Sequence, residues 1–122
     1  MSRELLIAVI DDDEPFRMAL VDCLCSLGYG ARGFASAEEF IGWEVDASCD
    51  CVITDIHMSG MNGLDLGRLL TGRASGVPVI MVTARSDTGL DAHAAASGAI
   101  GLLRKPFKTD ALIDCLEKAL RV

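Results

Sequence analysis

The chain has 122 residues, a length typical of one domain, and 51% of them are hydrophobic, as expected for an ordered globular core. Its 11 basic and 18 acidic residues give a formal net charge of −7, which argues against direct binding to nucleic acids or anionic membranes. The first residues are too acidic for a signal peptide, and no segment reaches the ~20 apolar residues of a membrane span. We therefore expect a cytoplasmic protein whose residues 1–122 form a single domain.

Five cysteines are present, and their odd number, together with the missing secretory signal, argues against a disulfide framework. Cys23 and Cys25 lie two positions apart in a predicted helix, where side chains diverge by about 200°. Such a pair is poorly placed to share one metal ion. We expect reduced cysteines that serve as small apolar residues.

Five short apolar segments predict β-strands. The first has the continuous apolar character of a strand buried on both faces. The third is rich in β-branched residues and breaks abruptly, at Asp55, into a loop that contains Gly and Asn. The predicted strands cover residues 5–10, 29–34, 51–54, 78–82 and 100–103.

Each strand is followed by a segment with helical character. Pro15 suits the first turn of a helix, and Gly28 is a plausible stop. Ser36 and Glu39 form a capping box, and Thr109 is placed to cap the last helix. The predicted helices cover about residues 15–27, 37–43, 64–70, 87–96 and 110–120.

This alternation predicts an α/β fold. Strands joined by helical crossovers run parallel, with helices on both faces of the sheet. We predict a doubly wound, flavodoxin-like fold with five parallel strands in the order 2-1-3-4-5 and five helices.

Polar residues cluster where four of the strands end. In a parallel sheet these ends share one edge, and strands one and three flank the point where the strand order reverses, the usual ligand site. The residues are Asp11, Asp12, Asp55, Thr83 and Lys105. Each also has a purely structural interpretation, such as a helix cap, a turn residue or a solvated lysine.

Three converging carboxylates repel one another, and a divalent cation removes that conflict. Oxygen ligands favour Mg²⁺, whereas the spacings typical of calcium loops and zinc sites are absent. A cation, the Thr83 hydroxyl and the Lys105 ammonium would together suit a phosphoryl group. Asp55 is then the natural nucleophile, forming an acyl phosphate.

At these residues the chain resembles a family, the receiver domains of two-component response regulators, which have the CheY-like fold. The resemblance covers residues 5 to about 120, and the ordered set of motifs is specific although each motif alone is weak. The motifs are Val9-Ile10-Asp11-Asp12-Asp13, Ile53-Thr54-Asp55, Met58-Ser59-Gly60-Met61-Asn62-Gly63, Val82-Thr83-Ala84, Gly98-Ala99-Ile100-Gly101 and Lys105-Pro106-Phe107.

The resemblance implies a role for each residue of the metal and phosphorylation site. Asp55 would accept the phosphoryl group from a phosphohistidine on a sensor histidine kinase or phosphotransfer protein. Asp12 would ligate Mg²⁺ directly, Asp11 would assist, commonly through water, and the backbone carbonyl of His57 would complete the protein's ligands.

The resemblance also assigns the residues that respond to the phosphoryl group. Thr83 would bind a phosphoryl oxygen, Lys105 would pair with phosphorylated Asp55, and the Lys105–Pro106 peptide would be cis. The implied function is a signalling switch that catalyses only its own phosphorylation and dephosphorylation, and is not a turnover enzyme.

Two alternative functions remain open. One is a receiver-like binding module that is never phosphorylated. The other is an aspartyl-phosphate phosphohydrolase, suggested by an Asp-x-Asp motif at Asp11, although Pro15 stands where that family has Thr or Val.

The output is also open at this stage. The chain ends shortly after the fifth predicted helix, so we expect either a stand-alone receiver that controls an effector or part of a regulator with a separate output domain. Residues 7–39 are similar to receivers of FixJ-type transcription regulators, which favours the second. Phosphorylation-dependent homodimerisation is a further output compatible with the sequence.

Two positions depart from the family pattern, and two others occupy places that affect the chemistry. Leu102 stands where most receivers have an aromatic residue, so the usual coupling from Asp55 to the face of helix four, strand five and helix five is not implied. Ser59 replaces the usual Pro and leaves its loop less constrained. His57 and Arg85 occupy places that tune hydrolysis of the aspartyl phosphate, and we hypothesise that they slow it.

Overall fold

The computed structural model describes residues 4–45, 47–73 and 76–120, in which strands and helices alternate. Within these residues, none of the helices has the length and apolar character needed to cross a membrane. The strands are β1 (Leu6–Ile10), β2 (Gly30–Phe34), β3 (Cys51–Asp55), β4 (Val79–Thr83) and β5 (Gly101–Arg104). The helices are α1 (Glu14–Ser26), α2 (Ala37–Glu44), α3 (Gly63–Thr71), α4 (Leu90–Ala96) and α5 (Thr109–Ala119).

The five strands form one parallel sheet in the order β2-β1-β3-β4-β5, which confirms the predicted topology. The register aligns the strand ends: Ile10 pairs with Thr54, and Asp55 pairs with Val82. The residues that follow β1, β3 and β4 therefore emerge at the same edge.

Each face of the sheet has its own hydrophobic core. On one face α2, α3 and α4 contribute Phe40, Leu66 and Leu90, and on the other α1 and α5 contribute Leu24 and Leu116. Every residue of β3 and β4 is buried, because both strands are covered on both faces. The central strands are thus firmly held, which fixes the position of the residues at their ends.

Two helix starts differ from the prediction. Helix α4 begins at Leu90 rather than near residue 87, because Gly89 adopts a left-handed φ of 90° that interrupts the helix. The predicted cap at Thr109 is wrong: Lys108 precedes α5 with extended backbone, and Thr109 is the first helical residue. The predicted cap at Ser36 is confirmed by a 3.0 Å bond from the Glu39 N–H to Ser36 Oγ.

All five cysteines are free thiols, as expected. Burial raises the pKa of Cys51 to about 12 and that of Cys49 to about 11. Both therefore stay protonated at neutral pH and behave as apolar side chains.

Candidate functional site

The predicted polar residues converge at the carboxyl edge of the sheet. Asp11 follows β1, Asp55 and Thr83 end β3 and β4, and Lys105 follows β5. One carboxylate oxygen from each of Asp11, Asp12 and Asp55 lies within 4.8 Å of the other two. The fold thus forms an acidic cluster from two separate segments of the chain.

Two members of this cluster are buried. Asp11 is 1% exposed and Asp55 is 8% exposed, whereas Asp12 is exposed. Burial raises the pKa of the Asp11 carboxyl, and the nearby charge of Asp55 raises it further. Hydrogen bonds from the Asp13 N–H and from Lys105 oppose this effect without cancelling it. The ionised form of Asp11 is therefore disfavoured by its burial and by the neighbouring charge of Asp55.

The donor chemistry of the cluster fits Mg²⁺. All three groups that could hold an ion are carboxylates, the hard oxygen donors that Mg²⁺ prefers. Asp12 faces solvent, which suits an ion that keeps several of its waters. The His57 N–H donates a 3.1 Å hydrogen bond to Asp55 Oδ1, so the loop after β3 is tied to the Asp55 carboxylate.

Lys105 supplies the positive charge of the site. Its Nζ lies 2.9 Å from Asp11 Oδ2 and 3.3 Å from Asp55 Oδ2, and its backbone N–H donates to the Thr83 carbonyl. Burial lowers the pKa of the ammonium, but the hydrogen bond to Asp11 and the charge of Asp55 outweigh it, so the pKa is raised. The Lys105–Pro106 peptide bond is cis.

Thr83 is fully buried at the end of β4. Its Oγ1 accepts a 3.0 Å hydrogen bond from the backbone N–H of Arg85. This bond fixes the hydroxyl oxygen at the end of β4.

Three further residues support the site, and the sequence did not indicate them. The Phe16 ring centroid lies 3.9 Å from Lys105 Nζ. Arg17 donates a 2.7 Å hydrogen bond to the carbonyl of Asp11, and Glu38 accepts a 2.8 Å bond from the Met61 N–H. No motif in the sequence connects Phe16 with Lys105, or Glu38 with a loop 23 positions away.

Gly63 allows α3 to start against the strand that carries Asp55. A Cβ at this position would collide with the Asp55 carbonyl oxygen and lie 2.9 Å from the Ile56 Cα. The Gly63 N–H instead donates to the Ile56 carbonyl, and Asn62 caps the helix. Gly63 of the predicted loop motif is therefore needed because the backbone of Asp55 and Ile56 leaves no room for a side chain.

The two residues that depart from the family pattern and the two at places that tune hydrolysis have distinct environments. Leu102 is half-buried and packs against the core on the α4 side of the sheet. Ser59 is exposed, and the Arg85 guanidinium, also exposed, lies 3.9 Å from Asp87. The His57 Nε2 is buried and has no hydrogen-bond partner among the described residues.

Comparison with known proteins agrees with this geometry. The family model "Response regulator receiver domain" matches residues 7–117. The transcriptional regulatory protein FixJ of Bradyrhizobium diazoefficiens is 35% identical over 94% of this chain and 56% of its own length. The chain spans about half the length of the curated relatives it matches.

Solved structures agree in fold. The crystal structure of FixJ-N superposes with a TM-score of 0.87 at 28% identity, covering 98% of this chain and 95% of that one. A response regulator receiver protein from Burkholderia phymatum gives a TM-score of 0.85 at 36% identity, covering 98% and 97%. The chain therefore belongs to the response regulator receiver domain family of two-component systems.

Proposed function

We propose that this chain is a phosphorylation-dependent switch in which Asp55 accepts a phosphoryl group from a phosphohistidine. The donor would be a histidine kinase or phosphotransfer protein in the cytoplasm. The observation that carries the proposal is the convergence of three carboxylates within 4.8 Å, with the Lys105 ammonium in contact with two of them.

In the proposed reaction, a carboxylate oxygen of Asp55 attacks the phosphorus of the phosphohistidine. The new O–P bond forms as the P–N bond breaks, and the imidazole leaves with the electron pair and takes up a proton. The product is an acyl phosphate on Asp55. The chain is itself the acceptor in this step, so the reaction it would catalyse is its own phosphorylation, followed by its own dephosphorylation.

Asp11, Asp12, Asp55 and the backbone carbonyl of His57 would hold Mg²⁺. When bound, the ion would neutralise charge on the phosphoryl oxygens. The donor set of the site supports this part of the proposal, because three neighbouring carboxylates repel one another and a divalent cation would relieve that repulsion.

Lys105 and Thr83 would respond to the phosphoryl group. The Lys105 ammonium already lies 3.3 Å from Asp55 Oδ2, within reach of an oxygen added there. Because Thr83 Oγ1 accepts a bond from Arg85, its O–H proton is the group it would offer to a phosphoryl oxygen. Both contacts would strengthen on phosphorylation, which adds roughly −1.5 to −2 charges.

A switch of this kind acts by shifting the balance between two conformations. The partner that responds is an effector protein, an output domain of the same regulator or a second phosphorylated copy. The curated relatives, which are about twice as long as this chain, support the output-domain alternative.

The decisive experiment is mass spectrometry of the chain after incubation with acetyl phosphate and Mg²⁺. We expect one added phosphoryl group that maps to Asp55, is absent in Asp55→Asn and is absent when EDTA replaces Mg²⁺. Continuous release of phosphate without a stable adduct would instead indicate a phosphohydrolase. Neither adduct nor release would indicate a binding module.

A further inference from the structure

The Lys105 ammonium has a third neighbour besides the two carboxylates. Its Nζ lies 3.9 Å from the centroid of the Phe16 ring, well inside the distance at which a cation is attracted to an aromatic face. The lysine side chain is only 15% exposed, so water screens this attraction weakly.

The Phe16 ring is itself held in place. Asp13 caps α1 by accepting a 3.3 Å bond from the Phe16 N–H, which sets the residue in the first turn. The ring of Phe107, two residues beyond Lys105, meets the Phe16 ring edge to face at 6.0 Å and 80°. The aromatic face under the ammonium is therefore a fixed surface.

The base of the lysine is fixed as well, because its backbone N–H donates a 2.8 Å bond to the Thr83 carbonyl. Between base and tip lie four flexible carbon–carbon bonds, whose freedom must be restricted for the ammonium to reach Asp55. Asp11 is the nearer carboxylate, at 2.9 Å against 3.3 Å for Asp55, so it competes for the charge.

We propose that Phe16 is a positioning residue, whose aromatic face holds the Lys105 ammonium at the acidic site and keeps it within reach of Asp55. An aromatic face attracts a cation without a fixed hydrogen-bond direction. The Phe16 ring can therefore retain the Lys105 ammonium while the ammonium moves its hydrogen bond from Asp11 to a phosphoryl group. This inference rests on the proposed function only for its effect on the rate of phosphorylation.

The first test does not depend on phosphorylation. The chain has three lysines, and Lys108 and Lys118 are exposed, so they serve as internal references in an NMR spectrum of the lysine ε-methylene groups. A group above a ring face is shifted upfield by the ring current. We expect this shift for Lys105 in the natural chain and in Phe16→Tyr, and its loss in Phe16→Leu.

The second test measures the rate of Asp55 phosphorylation by acetyl phosphate at saturating Mg²⁺. We expect Phe16→Leu to react about three- to tenfold more slowly, and Phe16→Tyr to retain the natural rate. Replacing Phe16 by phenylalanines with one, two and three fluorines should slow the reaction stepwise, because fluorine withdraws electron density from the ring face at almost unchanged volume.

A matched control separates attraction from packing. The same trifluorinated residue at position 107 alters the ring that meets Phe16 edge-on, and the rate should then stay close to that of the natural chain. The inference is overturned if the ε-methylene signal of Lys105 coincides with those of Lys108 and Lys118. It is also overturned if the rate of Asp55 phosphorylation does not change with fluorination at position 16. If Asp55 accepts no phosphoryl group at all, the proposed function fails, and the NMR test alone decides the role of Phe16.

Discussion

The Lys105 ammonium lies 2.9 Å from Asp11 Oδ2, a contact between residues 94 positions apart in the chain. It joins the end of the last strand to the end of the first across Asp55. When no metal ion is bound, this ammonium is the positive charge that pairs with the two buried carboxylates among the described residues.

The first prediction concerns the Lys105→Met variant, which removes the charge but keeps the length of the side chain. Without Mg²⁺ we expect its free energy of unfolding to fall by roughly 1–3 kcal/mol, because two buried carboxylates lose their partner. Urea denaturation with EDTA and then with Mg²⁺ measures this, and Mg²⁺ should restore most of the loss. Lys108→Met, at an exposed lysine, is the control.

The same variant has a defined pH dependence. Because the pKa of Lys105 is raised on folding, its contribution to stability is fully present below the ordinary value of 10.5. The contribution is lost as the pH rises through the higher folded-state pKa. The difference between the natural chain and Lys105→Met should therefore stay constant from pH 7 to 9 and shrink only above pH 10.5. A difference that already shrinks at pH 8 contradicts this account.

The second prediction concerns Glu38, which ties α2 to the loop after Asp55. Its carboxylate accepts a hydrogen bond from the Met61 N–H, and this bond lowers its pKa below the ordinary value of 4.5. A carboxyl group whose pKa is lowered on folding stabilises the fold at pH values above its unfolded-state pKa. That contribution is lost as the pH falls through its folded-state pKa. The stability difference between the natural chain and Glu38→Ala should therefore be present at pH 7 and shrink below pH 4.5.

Hydrogen exchange provides the local measurement for Glu38. The Met61 amide should exchange faster in Glu38→Ala, whereas Glu38→Gln, which keeps an acceptor oxygen, should retain part of the protection. Glu117→Ala is the control, since Glu117 is exposed in α5, on the other face of the sheet. Equal exchange in Glu38→Ala and Glu117→Ala would show that the contact does not hold the loop.

The third prediction concerns the lifetime of the aspartyl phosphate. His57 and Arg85 each lie two residues beyond a strand end that contributes to the site, and both side chains are bulky. We expect them to obstruct the approach of water, so that His57→Ala and Arg85→Ala each shorten the half-life of phosphorylated Asp55 severalfold. The half-life is followed by loss of the phosphorylated mass over time, and unchanged lifetimes in both variants would disprove the hypothesis.

The fourth prediction concerns Gly63. A methyl group there would overlap the backbone of Asp55 and Ile56, so Gly63→Ala should destabilise the fold by about 1–3 kcal/mol and lower the affinity of the site for Mg²⁺. Gly42→Ala is the matched control, because a Cβ at this position in α2 meets open space. That change should stabilise the fold by about 0.5–1 kcal/mol, as replacing a helical glycine usually does. Thermal unfolding and titration with Mg²⁺ measure both effects.

Much of the fold was predictable from the sequence because it depends on local patterns. Strand segments such as residues 5–10 are apolar throughout, and a capping box marks the start of the helix after Ser36. Once strands and helices alternate, the parallel sheet follows from chain connectivity. The predicted starts of the last two helices, at Thr109 and before Leu90, were wrong. Helix starts depend on backbone angles, and the residue type makes some angles more favourable without fixing them.

The sequence by itself determined the parallel sheet and the set of strand-end residues that meet at its edge, because alternation and strand direction dictate both. Only the tertiary structure decided which side chains surround that set. Phe16 under Lys105 and Glu38 at Met61 join elements distant in the chain. Such contacts depend on how helices pack against the sheet, and packing is set by the whole core rather than by any local pattern of residues.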